Sequence, residues 1–192
     1  MGGERLRAEV LGPLRVLEPS GRDLTPSGAL QRRLLALLVL RRDRPVPVDV
    51  AVDCLWPADP PRDPVAALQN QVSRLRRRLP DGAIASAGDG YVLRSTGLTV
   101  DADEVAAAVS RGDRGASVAG ALEAALGRWK GAAYPELEDL DEGQAEAARL
   151  EELRVRAVEA LAECRLEAGE AEAVVPDLAR LAEEHPLRER PR

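Results

Sequence analysis

One histidine, one lysine and two cysteines among 192 residues leave little material for several kinds of chemistry. His185 stands alone beside a proline, so no histidine triad can be assembled, and its expected place is a helix C-terminal cap. Cys54 and Cys164 lie far apart without CxxC or Cys/His spacing, which argues against a zinc site and a disulfide framework and predicts two reduced, part-buried thiols. Neither GxGxxG nor GxxxxGKS/T occurs, so no phosphate-cradling loop is indicated. No apolar run approaches the roughly 18 residues of a membrane span, and the start, MGGERLRAEV, has no apolar signal-peptide core. These absences predict a non-enzymatic cytoplasmic protein with no cofactor, no metal and no membrane segment.

Arginine outnumbers lysine 26 to 1, a bias read mainly as coding in a GC-rich genome. The placement of the charges says more. Residues 1–95 carry 15 arginines against 11 carboxylates, net +4, whereas residues 96–192 carry 12 basic against 22 acidic groups, net −10. A basic half beside an acidic half predicts two domains, one that meets a polyanion and one that stays soluble or meets a protein.

Residues 8–17 read as one or two short strands around a Gly-Pro pair. From Gly28 the pattern turns helical, and Leu30, Leu34, Leu37, Leu38 and Val39 cover most of the circumference, which predicts a largely buried helix. Pro45 and Pro47 stop it, and Asp49 is the expected N-cap of a shorter helix through Trp56. The stretch WPADPPRDP, residues 56–64, has four prolines in nine positions and must be an exposed loop. Asp63 then Pro64 is a helix start, a cap followed by a residue whose missing N–H does no harm.

The third helix, residues 64–79, places Val65, Leu68, Val72, Leu75 and Leu79 on one stripe. Opposite lie Ala66, Asn70, Ser73, Arg74 and Arg77, with Gln69 and Arg76 flanking on one side and Gln71 and Arg78 on the other. Two readings of that face stand: a solvated arginine surface, or a surface that reads bases, since arginine can bond guanine bidentately and Asn or Gln adenine. Residues 84–94 read as a hairpin turning at Gly88-Asp89-Gly90, with Tyr91 and Leu93 on one face and Val92 and Arg94 on the other. Strand, three helices and hairpin is the order of a winged helix, whose third helix enters the major groove and whose wing reaches the adjacent backbone.

The run from LQRRLLALLVLRR through VDVAVDCLWP and VSRLRRRL to GDGYVLR resembles the OmpR-type winged helix of the Streptomyces antibiotic regulatory protein family over about residues 8–95. That resemblance implies DNA contacts at Asn70, Ser73, Arg74, Arg77 and Arg78, with Tyr91 and Arg94 on the wing. It also implies binding to direct repeats of double-stranded DNA as a homodimer, activation of antibiotic biosynthesis genes, and an RNA polymerase contact at Ala58, Asp59, Pro60, Pro61 and Arg62. A rival reading makes the helical half a protein-interaction module and the winged helix its scaffold.

In the second half, the DADE of residues 101–104 is close to a capping box and leads into a short helix. A second helix carries Val118, Leu122, Ala125 and Trp129, and a third, about residues 142–168, carries Leu150, Leu153, Ala157, Leu161 and Cys164, with Gly169 as its C-cap. The acidic run ELEDLDE, residues 136–142, reads as a solvated linker, and Trp56 and Trp129 as core. Paired alanine-rich helices suggest tetratricopeptide-like packing. RWKGAAY and the segment after it resemble the bacterial transcriptional activation domain of the same family over about residues 98–190. The expected fold is therefore mainly α with small β, a winged-helix DNA-binding domain over 1–95 and an all-α, C-terminally incomplete activation domain over 96–192. Incompleteness predicts that the last helix, residues 170–184, lacks a packing partner and exposes Val174, Leu178 and Leu181.

Overall fold

The computed structural model describes residues 5–110 and 116–184. The chain opens with β1 (Leu6–Glu9) and β2 (Arg15–Leu17), followed by α1 (Ala29–Leu40), β3 (Val46–Pro47), α2 (Val48–Leu55) and α3 (Pro64–Arg76). The hairpin β4 (Ile84–Ala87) and β5 (Gly90–Leu93) precedes β6 (Leu98–Val100), after which come α4 (Asp101–Ser110), α5 (Ala116–Leu126), α6 (Asp141–Glu167) and α7 (Ala171–Glu184). The architecture is mainly α with two small sheets, as the sequence predicts.

Helix α1 is the centre of the first half. Leu34 to Val39 are all buried, a continuous apolar run that only a helix surrounded by other elements can carry. Both α2 and α3 pack on it. Helix α2 starts one residue before Asp49, with Pro47 at the N-cap, so Asp49 sits in the first turn and its carboxylate accepts only from the neighbouring Val50 N–H. A fixed-φ proline is enough to start this helix without a side-chain cap.

One three-stranded sheet has the order β3-β5-β4. Its hairpin turns on Gly88, φ +59, followed by Asp89, the arrangement of a two-residue turn with glycine first. Gly90 has no alternative: a Cβ there would lie 2.1 Å from the Val46 carbonyl oxygen across the sheet. The other sheet has the order β2-β1-β6, and β6 joins β1 in parallel, Leu6 opposite Leu98 and Ala8 opposite Val100. A strand from just beyond residue 95 thus completes the sheet begun by β1 and β2.

The two halves share one core. Leu137, Leu150 and Leu153 belong to the same buried cluster as Leu34, Leu68 and Val100. Asp101, 1% exposed, accepts from the Val10 N–H at 2.9 Å and the Leu11 N–H at 3.4 Å, besides the Ala102 N–H at 2.9 Å. It therefore satisfies backbone donors at the end of β1 in addition to its own helix start. The Val10 and Leu11 carbonyls accept from Tyr134 and Lys130.

The acidic run is a seam instead of a solvated linker. Arg33 pairs with Asp139 at 2.7 Å and donates to the Glu136 carbonyl, Arg41 pairs with Glu142 at 2.7 Å, and Glu136 accepts from the Leu14 N–H. Nearby, Arg42 pairs with Asp103 at 2.6 Å. Charges segregated along the sequence are brought together by the fold.

The face of α6 that carries Leu150, Leu153, Ala157, Leu161 and Cys164 is buried as expected, and Gly169, φ +81, follows its end. Helix α7 does have a packing partner, which corrects the expectation for residues 170–184: it lies on α6, and Val174 and Leu181 are buried. Leu181 meets Val155 and Val158, while Val175 is the exposed residue, at 65%. The Leu178 side chain and His185 lie outside the described residues.

Candidate nucleic-acid interface

Helix α3 begins as its sequence dictates. The Asp63 carboxylate accepts from the Ala66 N–H at 2.9 Å, and Pro64 occupies the first turn. Leu68, Val72, Leu75 and Leu79 are buried, but Val65, in the first turn next to the proline loop, is 46% exposed. Regular helix stops at Arg76, three residues short of the predicted end; Arg77 caps it and the chain tightens through an Arg78 N–H to Leu75 carbonyl bond ahead of Pro80.

Asn70, Ser73, Arg74 and Arg77 are all exposed on the surface away from the core, together with Gln69. Among the described residues Arg74 and Arg77 have no carboxylate within ion-pairing distance, whereas Arg33, Arg41 and Arg42 on and just after α1 are each neutralised by the second half. Arg78 points to the other flank and donates to the Thr25 carbonyl at 2.9 Å, so part of its guanidinium is committed to the β2–α1 loop. The carboxylates of the second half thus neutralise Arg33, Arg41 and Arg42, while Arg74 and Arg77 face out without one among the described residues.

The wing packs beside this helix, and a cleft of about 580 Å³ separates them, lined by Gln69, Ser73, Arg76, Arg77, Ser86 and Tyr91 among others. Arg76, expected only to flank the face, donates from Nε to the Ile84 carbonyl and from Nη2 to Ser86 Oγ, both at 3.0 Å. Its guanidinium carbon lies 5.7 Å from the centre of the Tyr91 ring. Tyr91 is half-buried, packed against the core and under Arg76, while Arg94 is exposed at the base of the hairpin, with its backbone N–H bonded to Ala83. Helix face and wing are thus adjacent, but Tyr91 and Arg94 occupy different parts of the wing. Sequence reasoning missed the Arg76 contacts because they join residues 8 and 10 apart across a turn, beyond any helical or strand period.

Of the loop between α2 and α3, Ala58, Asp59, Pro60 and Arg62 are exposed and Pro61 is half-buried, away from the core. Trp56 and Trp129 are half-buried against the core, and Cys54 and Cys164 are buried; burial pushes the Cys54 thiol up. Burial likewise raises the Asp101 carboxyl, its backbone donors opposing the shift, whereas the Arg33 hydrogen bond holds Asp139 low. Among the described residues no cluster of three His, Cys, Asp or Glu could hold a metal ion, and no helix is long and apolar enough to cross a membrane.

Comparison with known proteins finds relatives that span both halves of the chain. The model of the Bacterial transcriptional activator domain matches residues 99–192. The chain is 36% identical over 204 residues to the transcriptional regulatory protein EmbR of Mycobacterium tuberculosis, covering 97% of this chain and 51% of EmbR. It is 33% identical to the regulatory protein AfsR of Streptomyces griseus, over 97% of this chain and 20% of AfsR. It is 31% identical to the regulatory protein DnrI of Streptomyces peucetius, over 96% of this chain and 74% of DnrI. The chain thus spans about half the length of EmbR. A solved structure of M. tuberculosis EmbR in complex with a low-affinity phosphopeptide superposes with a TM-score of 0.76 at 33% identity, covering 96% of this chain and 52% of that one. With a matching fold and relatives that span both halves, the chain belongs to the Streptomyces antibiotic regulatory protein family of transcriptional activators.

Proposed function

We propose that this chain binds double-stranded DNA sequence-specifically through α3 and the β4–β5 wing, and activates transcription without catalysis. The observation that carries the reading is the exposed face of Asn70, Ser73, Arg74 and Arg77, whose arginines meet no carboxylate among the described residues, whereas Arg33, Arg41 and Arg42 are neutralised within the chain. Amide, hydroxyl and guanidinium groups at successive turns of one helix suit base edges and phosphates in the major groove. Arg78, Tyr91 and Arg94 extend the interface on its flanks. The winged-helix unit spans residues 1–95, the activation unit 96–192. Two copies lie side by side on direct repeats near promoters of antibiotic biosynthesis genes, in the cytoplasm, and the exposed loop at Ala58, Asp59, Pro60, Pro61 and Arg62 meets RNA polymerase.

Selection of bound sequences from random duplexes at two salt concentrations tests it. The expected result is enrichment of a directly repeated motif whose binding weakens with salt, with a log–log slope of about −0.9 per phosphate contacted. A helical, folded chain that enriches no sequence would sink the reading.

A further inference from the structure

Four arginines stand between residues 74 and 78, and the fold treats them differently. Arg74 and Arg77 have no carboxylate partner among the described residues, and Arg78 holds the Thr25 carbonyl. Arg76 alone is bound to the wing. We propose that Arg76 is a positioning residue, a latch that sets the angle between α3 and the wing, and not itself a DNA contact; the inference rests on the DNA-binding reading above.

The geometry of the latch follows from the sheet. Strand β4 lies at the edge of the order β3-β5-β4, so its outer carbonyls have no strand to pair with. Arg76 Nε donates to one of them, that of Ile84. Ser86 and Tyr91 are directly opposite in the β4–β5 register and so share a face. That pair forms a platform: Nη2 donates to the Ser86 hydroxyl while the guanidinium lies over the Tyr91 ring. Three contacts from one planar group fix both distance and tilt of the hairpin relative to the helix. Lysine cannot substitute, since a single ammonium on a flexible stem lacks the fork and the flat face. Two DNA-contacting elements that must reach neighbouring grooves at once need such a fixed separation, because a freely tilting wing would have to be ordered on binding.

The test uses the full chain with Arg76→Lys, Arg76→Ala and Ser86→Ala. In hydrogen exchange without DNA, the β4–β5 amides of both Arg76 variants are expected to exchange about tenfold or more faster than wild type, as loss of charge-assisted bonds implies, with α1 and α6 unchanged. Ser86→Ala gives a smaller change of the same sign, not additive with Arg76→Ala. On the duplex recovered by selection, Arg76→Lys keeps guanine N7 protection by α3 but loses backbone protection by the wing. Unchanged wing exchange in Arg76→Ala overturns the latch. So does an Arg76→Lys variant with wild-type affinity and salt slope, the behaviour of a simple phosphate contact. A wild-type chain that protects no duplex overturns the DNA-binding reading only, and the exchange result then decides the latch.

Discussion

Arg77 and Arg78 are neighbours, yet among the described residues only the Arg78 guanidinium donates within the protein. Removing Arg77 therefore disturbs nothing in the fold, and Arg77→Ala is expected to lower affinity for the selected duplex by about 1–3 kcal/mol with relaxed specificity if it reads a base. If it holds a phosphate, the salt slope falls by about 0.9 and all sequences weaken equally. Binding isotherms at several salt concentrations separate the two, and an unchanged affinity rejects both. Asp101 is the opposite kind of residue. Its carboxylate is the partner of the Val10 and Leu11 N–H groups inside the protein, so Asp101→Ala leaves buried donors unsatisfied and should destabilise by about 2–4 kcal/mol in urea unfolding.

Helix α3 separates stability from recognition along its length. Leu68, fully buried on a helix that packs against α1 and α2, should cost about 2–5 kcal/mol on truncation to alanine, whereas the same change at the exposed Val65 should stay within about 0.5 kcal/mol; thermal unfolding of the two variants checks the contrast. At this scale the sequence was most legible where the signal is local. Asp63-Pro64 announced its helix, the apolar run from Leu34 announced a surrounded one, and Gly-Asp-Gly announced the hairpin. It was least legible where the partner is distant. Leu98–Val100 carries only three residues of strand and no turn signature, and its meaning depends on β1 some ninety residues away. Asp101 looked like a capping box for the same reason, since proximity in sequence favours the local partner. The exposed face of α3 could be read from helical spacing alone, but the Arg76 latch requires knowing how the hairpin folds back.

At the scale of the molecule, the continuous core predicts that the two halves unfold together. Trp56 lies in the first and Trp129 in the second, so Trp129→Phe and Trp56→Phe leave one reporter each, and their denaturant midpoints should coincide; separated transitions would contradict a shared core. The seam adds a pH dependence of known sign. The Arg33 hydrogen bond holds Asp139 below its usual carboxylate value, so its contribution is present above the ordinary carboxylate range and is lost as pH falls through the lowered value. Wild type should exceed Asp139→Asn in stability at neutral pH, with the difference closing toward acid. The parallel pairing of Leu6 with Leu98 also has a consequence for synthesis. At about 5–20 residues per second, β1 leaves the ribosome well before its partner, and for on the order of 5 to 20 seconds the growing chain carries a strand with one open edge, in which Leu6 and Ala8 alternate with the charged Arg7 and Glu9. The sheet stays incomplete until translation has passed Val100, and in that interval the charges of Arg7 and Glu9 guard the open edge.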